Sequence, residues 1–263
     1  SVLVGDEMVF KIYRKLEPGT HPELEISRFL TEQVPFANTP PLLGSVEVMD
    51  GESCTALAVL QGFVRNQGDG WGFTLDYLGR ELEEERLTLT AGREGEAAEP
   101  VAPADTWGLY NALARTLGER TAEMHAALST PTGNPDFEPE PVTDADREGW
   151  RDQALRQADR AFQSLRLARP TLSPEIGEEV DRLLAREAAV AERITRLASG
   201  PITAAKVRIH GDFHLGQVLR SSTDWAIIDF EGEPAKTLAQ RRAKNMPLRD
   251  VAGMLRSFDY CSW

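Results

Sequence analysis

Residues 2–4 and 8–13 are largely apolar, strand-like runs on either side of Gly5-Asp6. Two such runs around a tight glycine-containing turn predict an antiparallel hairpin. In the second run Met8, Phe10 and Ile12 face one side, and Val9, Lys11 and Tyr13 face the other. Pro22 then opens a helical pattern from its first turn. Ile26, Phe29, Leu30 and, at the margin, Val34 form one stripe, and Pro35, Pro40 and Pro41 end it. Two more strand-like runs, 45–49 and 54–60, meet across Asp50-Gly51. The first 60 residues therefore predict strand, strand, helix, strand, strand.

A polar, glycine-rich stretch follows, from Gln61 to Gly70. Such a break in composition marks a connection. It divides the chain into a small lobe, 1–66, and a large lobe, 67–263. Beyond it the period becomes helical. Residues 71–88, 106–128 and 145–168 predict helices, the second with Leu109, Leu113, Leu117, Met124 and Leu128 on its stripe. Ser173-Pro174 caps a further helix. Its stripe runs through Ile176, Val180, Leu183, Val190, Ile194 and Leu197 to a stop at Gly200. Residues 91–104, rich in Gly, Glu, Ala and Pro, predict an exposed loop. After Pro201 short apolar runs at 207–209, 217–219 and 225–228 alternate with turns, and a last helix spans 248–258. The sum is an α+β chain with its sheet first and its helices later.

Of the 263 residues 41% are hydrophobic and 27% charged, an ordinary globular balance. The formal net charge of −13 argues against a nucleic-acid binder, because such a surface repels phosphate backbones. No apolar run approaches a membrane span, and no signal-peptide pattern opens the chain. Cys54 and Cys261 form neither a disulfide framework nor a zinc pattern. They read as free thiols of a cytoplasmic protein. The abrupt start at Ser1-Val2-Leu3-Val4 and the abrupt end at Cys261-Ser262-Trp263 read as a truncated form of a longer polypeptide.

The chemistry concentrates in His210-Gly211-Asp212-Phe213-His214-Leu215-Gly216-Gln217 and in Ile227-Ile228-Asp229-Phe230-Glu231-Gly232-Glu233-Pro234. Two aspartates at strand edges flank a turn. Phosphoryl transfer from ATP uses such a pair: one carboxylate accepts the proton of the attacking hydroxyl, and the other holds Mg²⁺ against the phosphates. Asp212 and Gln217 keep the five-residue separation between base and metal-binding amide in the kinase catalytic loop. Asp229 precedes Phe230 as in the D-F-G element, with the glycine displaced by one. Lys11 sits mid-strand, where the kinase pattern asks for a lysine that meets phosphates and pairs with a helix glutamate. Glu25 is the expected partner and Glu23 the second choice. His214 and Glu231 lie inside the motif, as a support or sugar contact and as a ligand for a second cation or an arginine partner.

Phe10-Lys11-Ile12-Tyr13-Arg14, the two motif segments and the 249–260 stretch resemble those of the maltokinases, sugar kinases of the trehalose-to-glucan route. Leu16-Glu17-Pro18-Gly19 and Gln61-Gly62-Phe63-Val64 are similar to the type fused to trehalose synthase. The resemblance implies the bilobal, protein-kinase-like fold of the aminoglycoside-phosphotransferase branch. It implies Asp212 as base toward the anomeric hydroxyl of maltose, Gln217 and Asp229 as Mg²⁺ ligands, and Lys11 on the ATP phosphates. Adenine would dock by backbone hydrogen bonds at a hinge containing Gln61, Gly62, Phe63 and Val64. Asp250 would brace the catalytic loop, and Arg249, Arg256 and Asp259 would lie near the sugar. No glycine-rich phosphate loop precedes Lys11, which departs from the general kinase pattern. Two alternatives stand beside this reading. One is a kinase of the same fold acting on glucosamine or an aminoglycoside. The other is a silent module that docks on trehalose synthase.

Overall fold

The computed structural model describes residues 1–51, 53–91, 107–200 and 202–263. The expected loop at 91–104 lies, beyond Ala91, outside them. The chain divides into two compact units, Ser1–Pro139 with Val207–Trp263, and Glu140–Lys206. The boundary expected at residues 66–67 lies inside the first unit.

The first unit begins with the hairpin β1 (Val2–Val4) and β2 (Met8–Ile12). Gly5 turns it at φ 59°, a conformation glycine adopts without a Cβ penalty. After α1 (Pro22–Arg28) come β3 (Leu42–Asp50) and β4 (Ser53–Gly62). The four strands form one antiparallel sheet in the order β1-β2-β4-β3, with Lys11 opposite Val59. The helix expected to reach Gln33 is α only to Arg28 and continues as a π turn over Phe29–Gln33. There the N–H of Val34 reaches the carbonyl of Phe29. The two faces of α1 serve two cores. Leu24 packs with Tyr13, Ala56 and Val59 against the sheet. Ile26, Phe29 and Leu30 enter the main core with Leu117, Met124, Phe213 and Ile227.

Two long helices of the first unit follow, α2 (Gly70–Ala91) and α3 (Gly108–Leu128). The Asp69 carboxylate accepts the N–H of Gly72 and caps α2. In α3, Leu113, Leu117, Met124 and Leu128 are buried as expected, whereas Leu109 is exposed.

The second unit pairs β5 (Glu140–Pro141) with β6 (Ala205–Lys206) around three helices. The first, α4 (Asp144–Ala168), starts with a capping box of Thr143 and Asp146. The single helix expected over 174–199 is two, α5 (Pro174–Leu184) and α6 (Glu187–Leu197). No glycine or proline marks the break at Ala185-Arg186. It lets both pieces fold back along the α4 end, where Arg169 holds Asp181 at 2.7 Å and Arg166 holds Glu187.

Back in the first unit, β7 (Val218–Ser221) and β8 (Asp224–Ile227) form a hairpin whose turn holds Ser222 at φ 58°. The short α7 (Leu238–Arg242), which the sequence pattern does not signal, has a Thr237/Gln240 capping box. The last helix, α8 (Leu248–Cys261), buries Asp250, Met254, Ser257 and Cys261.

Candidate functional site

Strand β2 is the first element of the site. Its Lys11 ammonium lies 3.0 Å from Glu23, 2.7 Å from Asp229 and 2.5 Å from Glu231. Ligating oxygens of these three carboxylates lie within 4.8 Å of one another. Burial alone would lower the Lys11 pKa, but Glu23 and Asp229 outweigh it and hold the amine protonated well above its ordinary range. Burial likewise raises Asp229, and Lys11 more than reverses it, so Asp229 stays ionised. Glu23 is 1% exposed, and burial raises it to about 7 against the pull of Lys11. The Tyr13 hydroxyl donates at 2.8 Å to Glu23 Oε2, the same oxygen that lies 3.0 Å from Lys11.

The partner of Lys11 is thus Glu23, not Glu25. Positions 23 and 25 are two apart on a helix, about 200° around its axis. Only one of them can face the strand that carries Lys11. Glu25 faces the other way. It accepts from Arg208 Nη1 at 2.7 Å and from Arg242 Nε and Nη2 at 2.9 and 2.7 Å.

The loop containing Asp212 is held from three sides. Asp250 of α8, 1% exposed, accepts the N–H of His210 at 2.9 Å and of Gly211 at 2.9 Å, and His125 Nε2 donates to it at 2.9 Å. Burial would raise the Asp250 carboxyl, but the hydrogen bonds from His125 and from the Gly211 N–H keep it below its ordinary value. His210 Nε2 donates to the carbonyl of Ile228 at 2.9 Å, which ties this loop to the segment carrying Asp229. Its Nδ1 accepts the Asp212 N–H at 3.4 Å, so both ring nitrogens are assigned in a neutral imidazole. Burial lowers the His210 pKa in agreement. Gly211 and Gly232 stand at φ 85° and 72°, and a Cβ on Gly211 would meet the Gly232 Cα at 3.5 Å. The two loops therefore touch backbone to backbone.

Asp229 has φ 66°, the left-handed region that a side chain rarely adopts. Its two oxygens are shared between Lys11 and the Gln217 amide, 3.2 Å away. Among the described residues the Asp212 carboxylate takes no hydrogen bond or ion pair, so its lone pairs are available to a hydroxyl. Oxygen donors at Asp229, Gln217 and Glu231 suit a hard cation such as Mg²⁺.

The other expected positions are distributed as follows. His214 caps the 3₁₀ turn Leu215–Gln217, its Nδ1 accepting from the Gly216 N–H at 3.0 Å. Gln61 donates to Ser27 Oγ at 3.2 Å. The N–H groups of Gly62 and Phe63 are engaged by the carbonyls of Pro41 and Glu7, and the Val64 carbonyl accepts from the Asn66 amide. Arg249 pairs with Glu233 at 3.3 Å. Arg256 and Asp259 are exposed on α8, away from the face that carries Asp250. The sequence pattern does not single out Tyr13, Arg208 or Arg242. One signal was available: Arg208 sits between Val207 and Ile209 in an apolar run, and a charge there needs a buried partner.

A strand lysine, a helix glutamate and two loop aspartates held this way define the kinase-like class of phosphotransferase. Residues 1–233 match the phosphotransferase enzyme family (APH), and the chain belongs to it. It is 29% identical over 264 residues to the glucosamine kinase of Streptacidiphilus jiangxiensis, covering 99% of this chain and 52% of that protein. It is also 29% identical over 260 residues to the glucosamine kinase of Mycolicibacterium smegmatis, covering 98% and 55%. Among solved structures, a glucosamine kinase (crystal form B) superposes with a TM-score of 0.72 at 26% identity, over 99% of this chain and 55% of that one. A glucosamine kinase in complex with glucosamine, ADP and inorganic phosphate gives 0.70 at 26%, over 98% and 54%. The bilobal kinase-like α+β fold is therefore the one expected. The chain spans about half the length of the relatives it matches. No helix of the described residues is long and apolar enough to cross a membrane.

Proposed function

We propose that this chain carries the catalytic centre of a sugar kinase that moves the γ-phosphoryl group of ATP, with Mg²⁺, to a hydroxyl of glucosamine. The observation that carries the reading is the convergence of the Glu23 and Asp229 carboxylates on the Lys11 ammonium, from positions as far apart as 11 and 229. Lys11, oriented by Glu23, meets the ATP phosphates. Asp229 and the Gln217 amide, with Glu231 beside them, hold Mg²⁺, which neutralises charge on the transferring group. Asp212 accepts the proton of the attacking hydroxyl. Its freedom from internal partners suits that role.

The relatives support this acceptor. Both curated relatives named above are glucosamine kinases, and their likeness runs along nearly the whole chain. Maltose, the acceptor implied by the resemblance of the motif segments, is the comparator, and trehalose synthase is not invoked. The test is Mg²⁺-dependent ATP turnover with glucosamine, maltose and an aminoglycoside, on the wild type and on Asp212→Asn. Glucosamine-dependent turnover that collapses in Asp212→Asn is the expected result. Turnover with maltose alone would replace the acceptor. Turnover unaffected by Asp212→Asn would remove the base assignment.

A further inference from the structure

Three side chains of the short helix α7 reach other elements of the first unit. Leu238 lies against Gly19, where a Cβ would stand 3.4 Å from its Cδ1. Arg242 takes both oxygens of Glu25 on α1. Arg241 turns toward the site, and its side chain is 5% exposed. Its Nη2 donates to the Glu17 carboxylate, in the connection between β2 and α1. Its Nη1 donates to the Glu231 carbonyl at 3.3 Å. Its stem lies on Gly232, where a Cβ would meet Arg241 Cβ and Cγ at 3.4 Å. The arginine therefore holds the backbone of Glu231 and leaves the Glu231 carboxylate to Lys11, 2.5 Å away.

The backbone of Asp229 gives this bond its weight. A residue other than glycine in the left-handed region persists only where its surroundings over-determine it. Upstream of Asp229, the Ile228 carbonyl is held by His210 and the Ile228 N–H by the Gln217 carbonyl. Downstream, Phe230 is buried in the main core, and the Glu231 carbonyl is held by Arg241. The turn is thus pinned on both sides. Without the downstream pin the segment through Glu231 and Gly232 is free to rotate, and its carboxylates lose their alignment with Gln217.

Packing alone does not account for an arginine here. Its Nε is buried with no hydrogen-bond partner among the described residues. A buried donor left unpaired lowers stability. A hydrocarbon side chain would cover Gly232 without that loss, and replacing buried charge by apolar bulk is often neutral or stabilising. What only the guanidinium supplies is a rigid fork that serves a carboxylate and a carbonyl at once.

We infer that Arg241 is a positioning residue for the divalent cation: it fixes the segment Asp229–Glu231 from behind, so that the ligand oxygens are aligned before the cation arrives. The inference rests on the kinase reading, in that a cation binds at Asp229, and adds a residue that touches neither cation nor substrate. Removing the partner that orients a metal ligand typically costs about 10–100-fold in metal affinity.

The probe is Mn²⁺, titrated into the full chain with ADP present and followed by the electron paramagnetic resonance of the free ion. Arg241→Met keeps the stem on Gly232 and removes the fork. It is expected to weaken Mn²⁺ binding about tenfold or more. In EDTA, hydrogen exchange of the amides from Phe230 to Glu233 is expected to quicken in the same variant. Glu17→Gln keeps an acceptor for Nη2 and is expected to bind Mn²⁺ like the wild type. If Arg241→Met fails to fold, Arg241→Lys, which keeps the charge without the fork, decides by the same two readouts. A folded variant with wild-type Mn²⁺ affinity overturns the inference, whatever its loss of stability in urea. Equal weakening in Glu17→Gln would trace the effect to the charge of Glu17 and overturn the Glu231 contact as its cause. A wild type that binds Mn²⁺, loses it in Arg241→Met and turns over no ATP would sink the kinase reading and leave the role of Arg241 standing. A wild type that binds no Mn²⁺ overturns both.

Discussion

Arg208 Nη1 donates to Glu25 Oε2 at 2.7 Å, which fastens the segment leading into Asp212 to the helix that carries Glu23. Arg208 precedes Asp212 by four positions, and Glu25 follows Glu23 by two. Lys11 and Asp212 are thus positioned relative to each other through the Arg208–Glu25 ion pair.

Breaking that pair leaves Arg208, 1% exposed, without its carboxylate. Loss of one member of a buried pair costs about 3–5 kcal/mol. Glu25→Ala is expected to lower unfolding free energy by roughly that amount in a urea titration. Glu23→Gln keeps an acceptor for the Tyr13 hydroxyl and loses only the charge facing Lys11. It is expected to stay folded and to raise KM for Mg-ATP about tenfold, close to 1.4 kcal/mol. Equal loss of stability in the two variants would contradict the division of roles.

Much of this arrangement was legible in the sequence, and the exceptions have physical causes. The β2 lysine, the Asp212–Gln217 spacing and Asp229 were readable because strand period and motif spacing are local properties. The choice of Glu23 over Glu25 was not. Both are acidic residues of one helical turn, and only the packing of Leu24 on the sheet and Ile26 in the main core sets the rotation of α1. The split of the 174–199 helix was equally hidden. Ala185, Arg186 and Glu187 are good helix formers, so the interruption comes from packing along α4 rather than from a stop residue. Arg242 lies on a helix of only five residues, too short for periodicity to detect.

Gly253 packs α8 against the loop containing Asp212, and a Cβ there would stand 2.7 Å from the Phe213 carbonyl oxygen. Alanine gains about 1 kcal/mol over glycine in a helix. Overpacking costs up to about 3 kcal/mol, and a backbone oxygen has little room to yield. Gly253→Ala is expected to lose about 2 kcal/mol net, measured as a drop in melting temperature. A stabilised variant would mean that α8 is free to move off the loop.

His21 makes stability depend on pH. Its pKa falls from 6.5 to about 4 on folding because burial disfavours the charged ring. The folded-state pKa is below the unfolded one, so the contribution is complete above pH 6.5 and is lost as pH falls toward 4. The full span amounts to roughly 3 kcal/mol. Glu23, raised to about 7 by burial, acts in the opposite sense between 4.5 and 7. The measurement is therefore the difference between wild type and His21→Gln in urea titrations across that range. The wild type should lose stability relative to the variant as the solution is acidified. Parallel curves would show that His21 is protonated without cost.

Asp250→Asn replaces one acceptor oxygen by an NH₂ that faces N–H donors. His210, Gly211 and His125 then compete for a single oxygen. A loss of about 3 kcal/mol is expected, with a larger fall in kcat than in substrate binding, because the loop carrying Asp212 loosens. Unchanged turnover would assign Asp250 to folding alone.

The three bonds to Asp250 also sort the backbone by how it breathes. The amides of His210 and Gly211 end on a buried carboxylate, and their exposure to solvent requires α8 to leave the loop. Such groups exchange their hydrogens only when the whole unit opens. The edge strand β1, exposed along its length, can peel away without disturbing that centre. In deuterium exchange the loop preceding Asp212 should be among the last segments to label and Val2–Val4 among the first.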